Sequence, residues 1–383
     1  MHKILKDDKP RGIIIAADEK PRSGYGGAAA LYRDPHLRLS DLDLKPPGVG
    51  MVQLRVLWVS LCGSDIHAVE ADEDGYSCFA GPASGWPIVL GHEMTAEVIA
   101  CGPGVVEFEP GQIVTSDSLV PCRRHDCPTC EDGNFNYCPR AYLIGFETDG
   151  VFATHATLPA KSLYCINGLI KAKGRETAIR LGTLAEPLGV ALNALWEGER
   201  SLAGWVRTAL IFGGGPIGCL IATGAKYRGF SRVVVVEPND RRRVLASTVA
   251  EGFGFDVVSS GNEVRHGCLL ADAGPSVVFD ACGSIDIDDV MSSVASTGTL
   301  VTVARAGRQS ASPGALITNG YGIRGARGHV GFLSHSLEIL ADPKCDLSPL
   351  ITGELHGLDE LLSALQHPHS FMDDLKVVCR IAD

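Results

Sequence analysis

The sequence lacks any run near the roughly 20 apolar residues that a membrane helix needs. It also lacks internal repeats and low-complexity tracts. The opening segment MHKILKDDKPRGIIIAADEK holds an apolar run too short for an export signal, with charges close on both sides. Basic charge is in deficit, with a formal net charge of −11, so a nucleic-acid partner, whose phosphates demand a basic surface, is excluded. What is present is a chain of 383 residues, 45% of them hydrophobic. That suffices for two domains, each with its own core, and excludes a disordered chain. Thirteen cysteines without an export signal read as free thiols in a reducing, cytoplasmic compartment, not as a disulfide framework.

Residues 1–160 read as short strands separated by turns. Met51–Leu61 is partly alternating and β-branched, with PPGVG before it and CGPGV after Ala100 as turn chemistry. From about Ala185 the texture changes. Arg207–Phe212, Val233–Glu237, Ser276–Cys282 and Thr299–Ala304 are buried-strand runs alternating with helical stretches, the pattern of a parallel sheet covered on both faces. After about Gly328 that pattern breaks, Leu358–Gln366 has the spacing of an amphipathic helix, and Lys376–Ile381 resembles a closing strand. A nucleotide-type domain is therefore expected between two parts of a β-rich domain.

Gly213, Gly215 and Gly218 form G-x-G-x-x-G directly after a strand, with Pro216 and Ile217 opening the helix that follows. The first glycine permits a tight turn, the second lets a pyrophosphate approach backbone N–H groups, and the third allows helix–strand contact. Glu237, 19 residues beyond Gly218, ends the next strand, where a carboxylate can accept hydrogen bonds from an adenosine ribose. It would repel a 2′-phosphate, which favours NAD over NADP. Arg241, Arg242 and Arg243 pull the other way, Arg242 being the candidate cofactor contact among them.

Cys62-Gly63-Ser64-Asp65-Ile66-His67 lies at a strand end, and Gly91-His92-Glu93 follows some way on. A thiol, an imidazole and an acid or water give Zn²⁺ the mixed ligands it favours with room for substrate. Taken singly, Cys62 would pass for a buried thiol and His92 for a core histidine.

These segments carry a resemblance. CGSDIH, GHEMTAEV (Gly91–Val98), CPTC, LAEPLGVALNAL (Leu184–Leu195) and FGGGPIG (Phe212–Gly218) resemble, in order, the zinc-dependent medium-chain dehydrogenase family, and within it the polyol and threonine dehydrogenase-like branch. The resemblance implies an α/β protein: a GroES-like β-rich catalytic domain over residues 1–187, an inserted Rossmann doubly wound domain over 188–328, and a return to the catalytic domain over 329–383. It implies catalytic-zinc ligation by Cys62 and His92, with Glu93 and Glu186 ligating or approaching the ion. Glu186 stands where the alcohol-dehydrogenase branch has cysteine, which argues against simple alcohols. It reads equally as a helix-start residue, with Pro187 in the first turn. Ser64 and His67 match the family's proton-relay positions, although His67 also suits a solvent-exposed helix position. Asp65 is expected to orient a metal ligand by hydrogen bond.

Cys127, Cys130 and Cys138 match the last three ligands of the family's structural-zinc lobe, expected near 120–140. The first ligand would fall at Arg124, but Cys122 lies two residues earlier, so two extra residues must be looped out. His125 is the competing fourth ligand. Between His67 and Gly91 the chain is longer than the family's compact version. Asp72, Glu73 and Asp74 read as a solvated tip, and Tyr76, Phe79 and Trp86 as side chains in reach of a cleft or packed beside it.

The resemblance thus implies an enzyme moving a hydride between NAD and the secondary alcohol of a polyol, sugar, cyclitol or amino-alcohol, as a homodimer or homotetramer. Two other readings stand beside it: an NADP-dependent carbonyl reductase of the same fold, and a non-catalytic cofactor-binding protein.

Overall fold

A computed structural model describes residues 9–17, 22–23, 29–77, 81–82, 85–200, 202, 207–261, 274–291, 294–304 and 312–382. The chain forms two compact units. One comprises 1–184, 353–372 and 377–383, and the other 185–352 and 373–376.

The first unit is built on a seven-stranded sheet. Its path runs Leu163–Cys165, Ile113–Ser116, Met94–Cys101, Met51–Ser60, Lys376–Arg380 and Ile351–His356, and His155–Pro159 also pairs with Met51–Ser60. Met51–Ser60 is buried along most of its length, so its branched residues face neighbours on both sides. Val52, Leu54, Val56 and Val59 join Met94, Phe152 and Leu361 in one core. A smaller sheet pairs Arg11–Ala16 with His36–Asp41 on one side and Ile88–Val89 on the other.

Two features of this sheet position a site. Met51–Ser60 runs antiparallel to Met94–Cys101 with Val59 opposite Met94, and Ser60 N–H donates to the Glu93 carbonyl at 3.2 Å. Cys62 just past the end of one strand and His92-Glu93 just before the start of the other are therefore brought side by side. The approach to His92 is also unusually tight. Gly91 has φ +91°, and a Cβ there would meet the Phe152 ring at 2.2 Å. A Cβ on Gly145 or Gly150 would in turn strike the Gly91 carbonyl oxygen, at 2.4 and 2.1 Å.

The second unit is a six-stranded parallel sheet in the order Asp256–Val258, Arg232–Val236, Thr208–Phe212, Val277–Asp280, Thr299–Thr302, Gly322–Gly325. Numbered along the chain this is 3-2-1-4-5-6, the doubly wound Rossmann order whose reversal point lies beside the first strand. Leu210, Val234, Val278 and Leu300 form its core, and the helices Ala185–Glu199, Pro216–Tyr227 and Leu333–Ala341 pack in it. The unit extends to Thr352, past the break in pattern at Gly328, because Leu333–Ala341 lays Leu333, Ile339 and Leu340 against Ala185–Glu199. No described helix is long and apolar enough to cross a membrane.

Gly91→Ala combines an overpacked ring contact with a left-handed backbone that a Cβ disfavours. The expected cost is roughly 2–5 kcal/mol of stability, measured by denaturant unfolding.

Candidate metal and dinucleotide sites

The ligand atoms of Cys62, His92 and Glu93 all lie within 4.8 Å of one another. Cys62 precedes the helix Gly63–Val69, and its N–H donates to Asp65 Oδ2 at 3.0 Å, tying the helix start to the carboxylate in its first turn. The other oxygen of Asp65 lies 3.2 Å from His92 Nδ1. Asp65 and Glu93 are fully buried, and His92 nearly so. One carboxylate thus fixes both the thiol-bearing backbone and the imidazole, which leaves Nε2 as the ring atom free to bind a metal. Burial works against charge on the His92 ring. The Asp65 carboxylate and the Cys62 sulfur outweigh it and hold the imidazole well above its ordinary 6.5. Glu93 is held by the Ser60 hydroxyl, which donates to Oε2. Ser64 Oγ donates to Cys62 Sγ at 3.1 Å. His67 is exposed near the end of the same helix, with Nδ1 2.6 Å from a Glu70 carboxylate oxygen.

The donor set fits a zinc ion. It joins one thiol, one imidazole oriented from its far nitrogen and one carboxylate, all converging and water-poor. Buried acids beside a buried imidazole are costly without compensating charge, and a dication supplies it.

Glu186 lies in the other unit, in the first turn of Ala185–Glu199, buried, with Oε1 3.4 Å from the Nδ1 of fully buried His329. The sequence reading missed His329 and Ser60. Each acts through a residue far away in the chain, and no local motif marks either.

The second cysteine set is four thiols whose sulfurs also fall within 4.8 Å of one another. Cys122–Cys138, Cys122–Cys130 and Cys127–Cys138 are separated by 3.5, 3.7 and 3.9 Å. A tetrahedron with Zn–S bonds of about 2.3 Å has edges of about 3.8 Å, so the spacing fits a closed four-sulfur site. The two extra residues are absorbed by a turn in which Arg123 takes φ +51°. Arg123 then lies over the Phe135 ring, and Arg124 and Arg140 share Asp126. His125 points into solvent, 99% exposed and 3.5 Å from Glu131, so the fourth donor of this cluster is Cys122. A backbone hydrogen bond from Arg124 and the neighbouring thiols lower Cys122 to about 6, whereas burial pushes Cys130 up.

In the second unit, Gly213 takes φ +101° at the end of Thr208–Phe212, and a Cβ on Gly218 would meet the Gly213 carbonyl oxygen at 1.8 Å. The space over Gly215, N-cap of Pro216–Tyr227, is open, as an approaching phosphate requires. Pro216 and Ile217 form the first turn of that helix. Glu237 is buried against Gly214: its Oε2 accepts Gly214 N–H and its Oε1 accepts Asn239 N–H, both at 2.9 Å. It therefore braces the glycine loop, a role its place at a strand end did not announce. Arg242 Nη1 lies 4.0 Å from Glu237 Oε2. Arg243 pairs with Asp240 and Arg241 with Asp373, leaving Arg242 as the cation facing the carboxylate.

Of the residues in the longer segment, Asp72 to Asp74 are exposed and Asp72 Oδ1 accepts the N–H groups of Asp74 and Tyr76. Tyr76 and Trp86 are half-buried, and Phe79 lies outside the described residues.

GroES-like and Rossmann units with these clusters define a zinc-binding dehydrogenase architecture. The model of the alcohol dehydrogenase GroES-like domain matches residues 48–168, and that of the zinc-binding dehydrogenase domain matches 216–337. L-threonine 3-dehydrogenase of Pyrococcus horikoshii is 32% identical over 66% of this chain and 66% of its own length. The chain thus spans just under two thirds of that relative. 2-Dehydro-3-deoxy-L-galactonate 5-dehydrogenase of Pseudoalteromonas atlantica is 32% identical over 67% of this chain and 70% of its own. The crystal structure of L-idonate 5-dehydrogenase from Escherichia coli shares the fold, with a TM-score of 0.76, 22% identity and coverage of 98% and 99%. The chain belongs to the zinc-dependent medium-chain dehydrogenases, in the polyol and threonine dehydrogenase-like branch. The family binds zinc and a nicotinamide cofactor.

Asp65→Asn keeps the size of the side chain but removes the charge behind His92. Metal affinity at the Cys62 cluster should fall about 10–100-fold, read by competition with a chelating dye. Cys122→Ala should instead release one zinc from the lobe while the ion at Cys62 is retained, as counted by elemental analysis.

Proposed function

We propose that the protein is an NAD-linked, zinc-dependent oxidoreductase acting on the secondary alcohol of a polyol, sugar, cyclitol or amino-alcohol. The observation that carries this reading is the Cys62–His92–Glu93 cluster, with Asp65 accepting the Cys62 N–H and lying 3.2 Å from His92 Nδ1. These three residues would hold the ion, and Zn²⁺ bound there would act as a Lewis acid that makes the substrate hydroxyl easier to deprotonate.

The chain's own groups do the rest. Asp65 keeps the His92 tautomer that presents Nε2 to the metal. The Ser64 hydroxyl, whose present partner is the Cys62 sulfur, is free to rotate and exchange a proton with the substrate oxygen. His67, exposed to water, is suited to hand a proton to solvent. Gly213, Gly215 and Gly218, with the start of Pro216–Tyr227, would seat the pyrophosphate of the cofactor, whose nicotinamide accepts the hydride. Each Glu237 oxygen keeps a lone pair beyond its backbone bond, available to a ribose hydroxyl. Its charge disfavours a 2′-phosphate, which supports NAD, with Arg242 partly offsetting it.

Relatives named for threonine and for a deoxy sugar acid support a substrate bearing a secondary hydroxyl among other polar groups. Glu186 in place of the alcohol-dehydrogenase branch's cysteine supports the same. The family resemblance supports a homodimer or homotetramer, and the free thiols, Cys219, Cys345 and Cys379 among them, support a cytoplasmic setting.

The test is a panel of polyols, sugar acids, cyclitols and amino-alcohols followed by NADH absorbance, with NADP in parallel. Turnover with NAD on a polyhydroxylated or amino-alcohol member is expected; turnover of simple aliphatic alcohols alone refutes the substrate class. Cys62→Ala should lower kcat by roughly 10³-fold while NADH binding persists, since the Lewis acid supplies several kcal/mol. Glu237→Gln should raise the KM for NAD about 10-fold and narrow the preference over NADP, because it removes a charge-assisted contact and leaves one of the Gly214 and Asn239 N–H groups without its acceptor.

A further inference from the structure

The match to the GroES-like domain model begins at residue 48, so the N-terminal strands Arg11–Ala16 and His36–Asp41 lie outside it. That segment grips the chain on both sides of the long connection between His67 and Gly91. On the near side, Ser77 N–H donates to the Tyr32 carbonyl at 2.8 Å, Tyr32 N–H to Ser77 Oγ at 3.1 Å, and Asp34 N–H to the Gly75 carbonyl at 2.9 Å. Arg33 bridges Tyr76, and Ala71, just past the helix that carries Ser64 and His67, bridges Ser77. On the far side, the Tyr32 ring stacks on Trp86 with centroids 4.1 Å apart and planes 12° from parallel. Backbone hydrogen bonds from Gly85 and Trp86 reach the Tyr32 phenol oxygen. Beyond Trp86, Ile88–Val89 pairs with Arg11–Ala16, and Leu90 N–H donates to the Ile13 carbonyl at 3.0 Å.

Tyr32 is 3% exposed, with its ring laid against Trp86. It touches the descending stem through backbone and the returning stem through its ring. Those stems lead directly from Cys62–His67 and into His92–Glu93, the two arms of the metal cluster.

We propose that Tyr32 is a positioning residue for substrate binding: it clamps residues 71–77 to Gly85–Trp86 and so fixes the wall between the two metal-binding arms. This rests on the dehydrogenase reading, under which that wall borders the alcohol's other hydroxyl or amino groups. The two metal-binding arms have ties of their own, Asp65 to Cys62 and His92 and Ser60 to Glu93, so removal of Tyr32 acts first on the substrate.

Tyr32→Ala and Tyr32→Phe test this in the full-length zinc-loaded protein. In Tyr32→Ala, hydrogen exchange should rise in residues 71–77 and near Trp86 and stay unchanged in Thr208–Phe212. The KM for the best alcohol substrate should rise on the order of 10-fold, and the ranking within the panel should change, since small misplacements of a bound substrate are costly. The kcat should hold within about 3-fold, with NADH affinity and zinc content unchanged; Tyr32→Phe, which keeps the stack, should stay within about 3-fold of wild type. Unchanged exchange at 71–77 overturns the clamp. Raised exchange with unaltered KM and ranking overturns the substrate role, as does a joint fall in kcat, zinc content and melting temperature. A wild-type protein inert on the whole panel refutes the dehydrogenase reading and the substrate role with it, while the exchange pattern still decides whether the clamp exists.

Discussion

The carboxylate of Asp65 is the contact on which the geometry of the Cys62–His92–Glu93 cluster depends. It is fully buried, and its two oxygens reach the Cys62 backbone N–H and the His92 ring. A carboxylate in that position would be expensive if unpaired, so the helix start and the imidazole are needed to keep it there as much as it is needed to orient them. The antiparallel pairing of Met51–Ser60 with Met94–Cys101 brings the two arms into range, and Asp65 converts nearness into a fixed geometry. Ser60 works in the same way on Glu93 from the last residue of the strand, with its hydroxyl on the carboxylate and its N–H on the Glu93 carbonyl.

The dinucleotide-type loop repeats the device in different surroundings. Glu237 is buried, its oxygens taken by Gly214 and Asn239 N–H groups, so the same residue that would select a ribose also shapes the turn beneath a pyrophosphate. Under the dehydrogenase reading, cofactor choice and loop geometry would be coupled through one side chain. Exchanging it to alter cofactor preference alters the loop as well, and a clean change of preference needs a new acceptor for Gly214 N–H.

Most of the two ligand clusters and the glycine loop was legible in the sequence because it is dictated locally. Gly213 and Gly218 must be glycine where φ is positive or a carbonyl comes within 1.8 Å of a would-be Cβ, and such positions leave a mark at fixed spacing. The apolar runs at Thr208–Phe212 and Arg232–Val236 are similarly self-announcing, since strands buried on both faces need no partner to be recognised. What stayed hidden involves partners distant in sequence. Ser60 is one hydroxyl in an apolar strand whose partner lies 33 residues on. His329 meets Glu186 across an even longer separation, and Tyr32 stacks on Trp86 with neither residue in a strand that could show periodicity. The limit of the second unit was hidden for a related reason: Leu333–Ala341 is amphipathic in itself, and only the surface it packs on assigns it.

The cysteine lobe shows how much departure from a spacing rule a metal site tolerates. Shifting the first ligand by two residues would open the tetrahedron if the backbone kept its path. Here the extra length is taken up at Arg123, in a left-handed conformation that an arginine adopts only at a cost of about 1–2 kcal/mol. Two interactions set against that cost are visible: the Arg123 guanidinium over the Phe135 ring, and Arg124 and Arg140 converging on Asp126. A salt cluster this exposed contributes little by itself. The larger offsetting term would be a metal ion held by the four converging sulfurs, worth on the order of 10 kcal/mol in small zinc domains. Ligand spacing in such a lobe is thus constrained by whether the sulfurs can meet, not by the number of residues between them, and the strain at Arg123 is the measure of how far this chain has used that freedom.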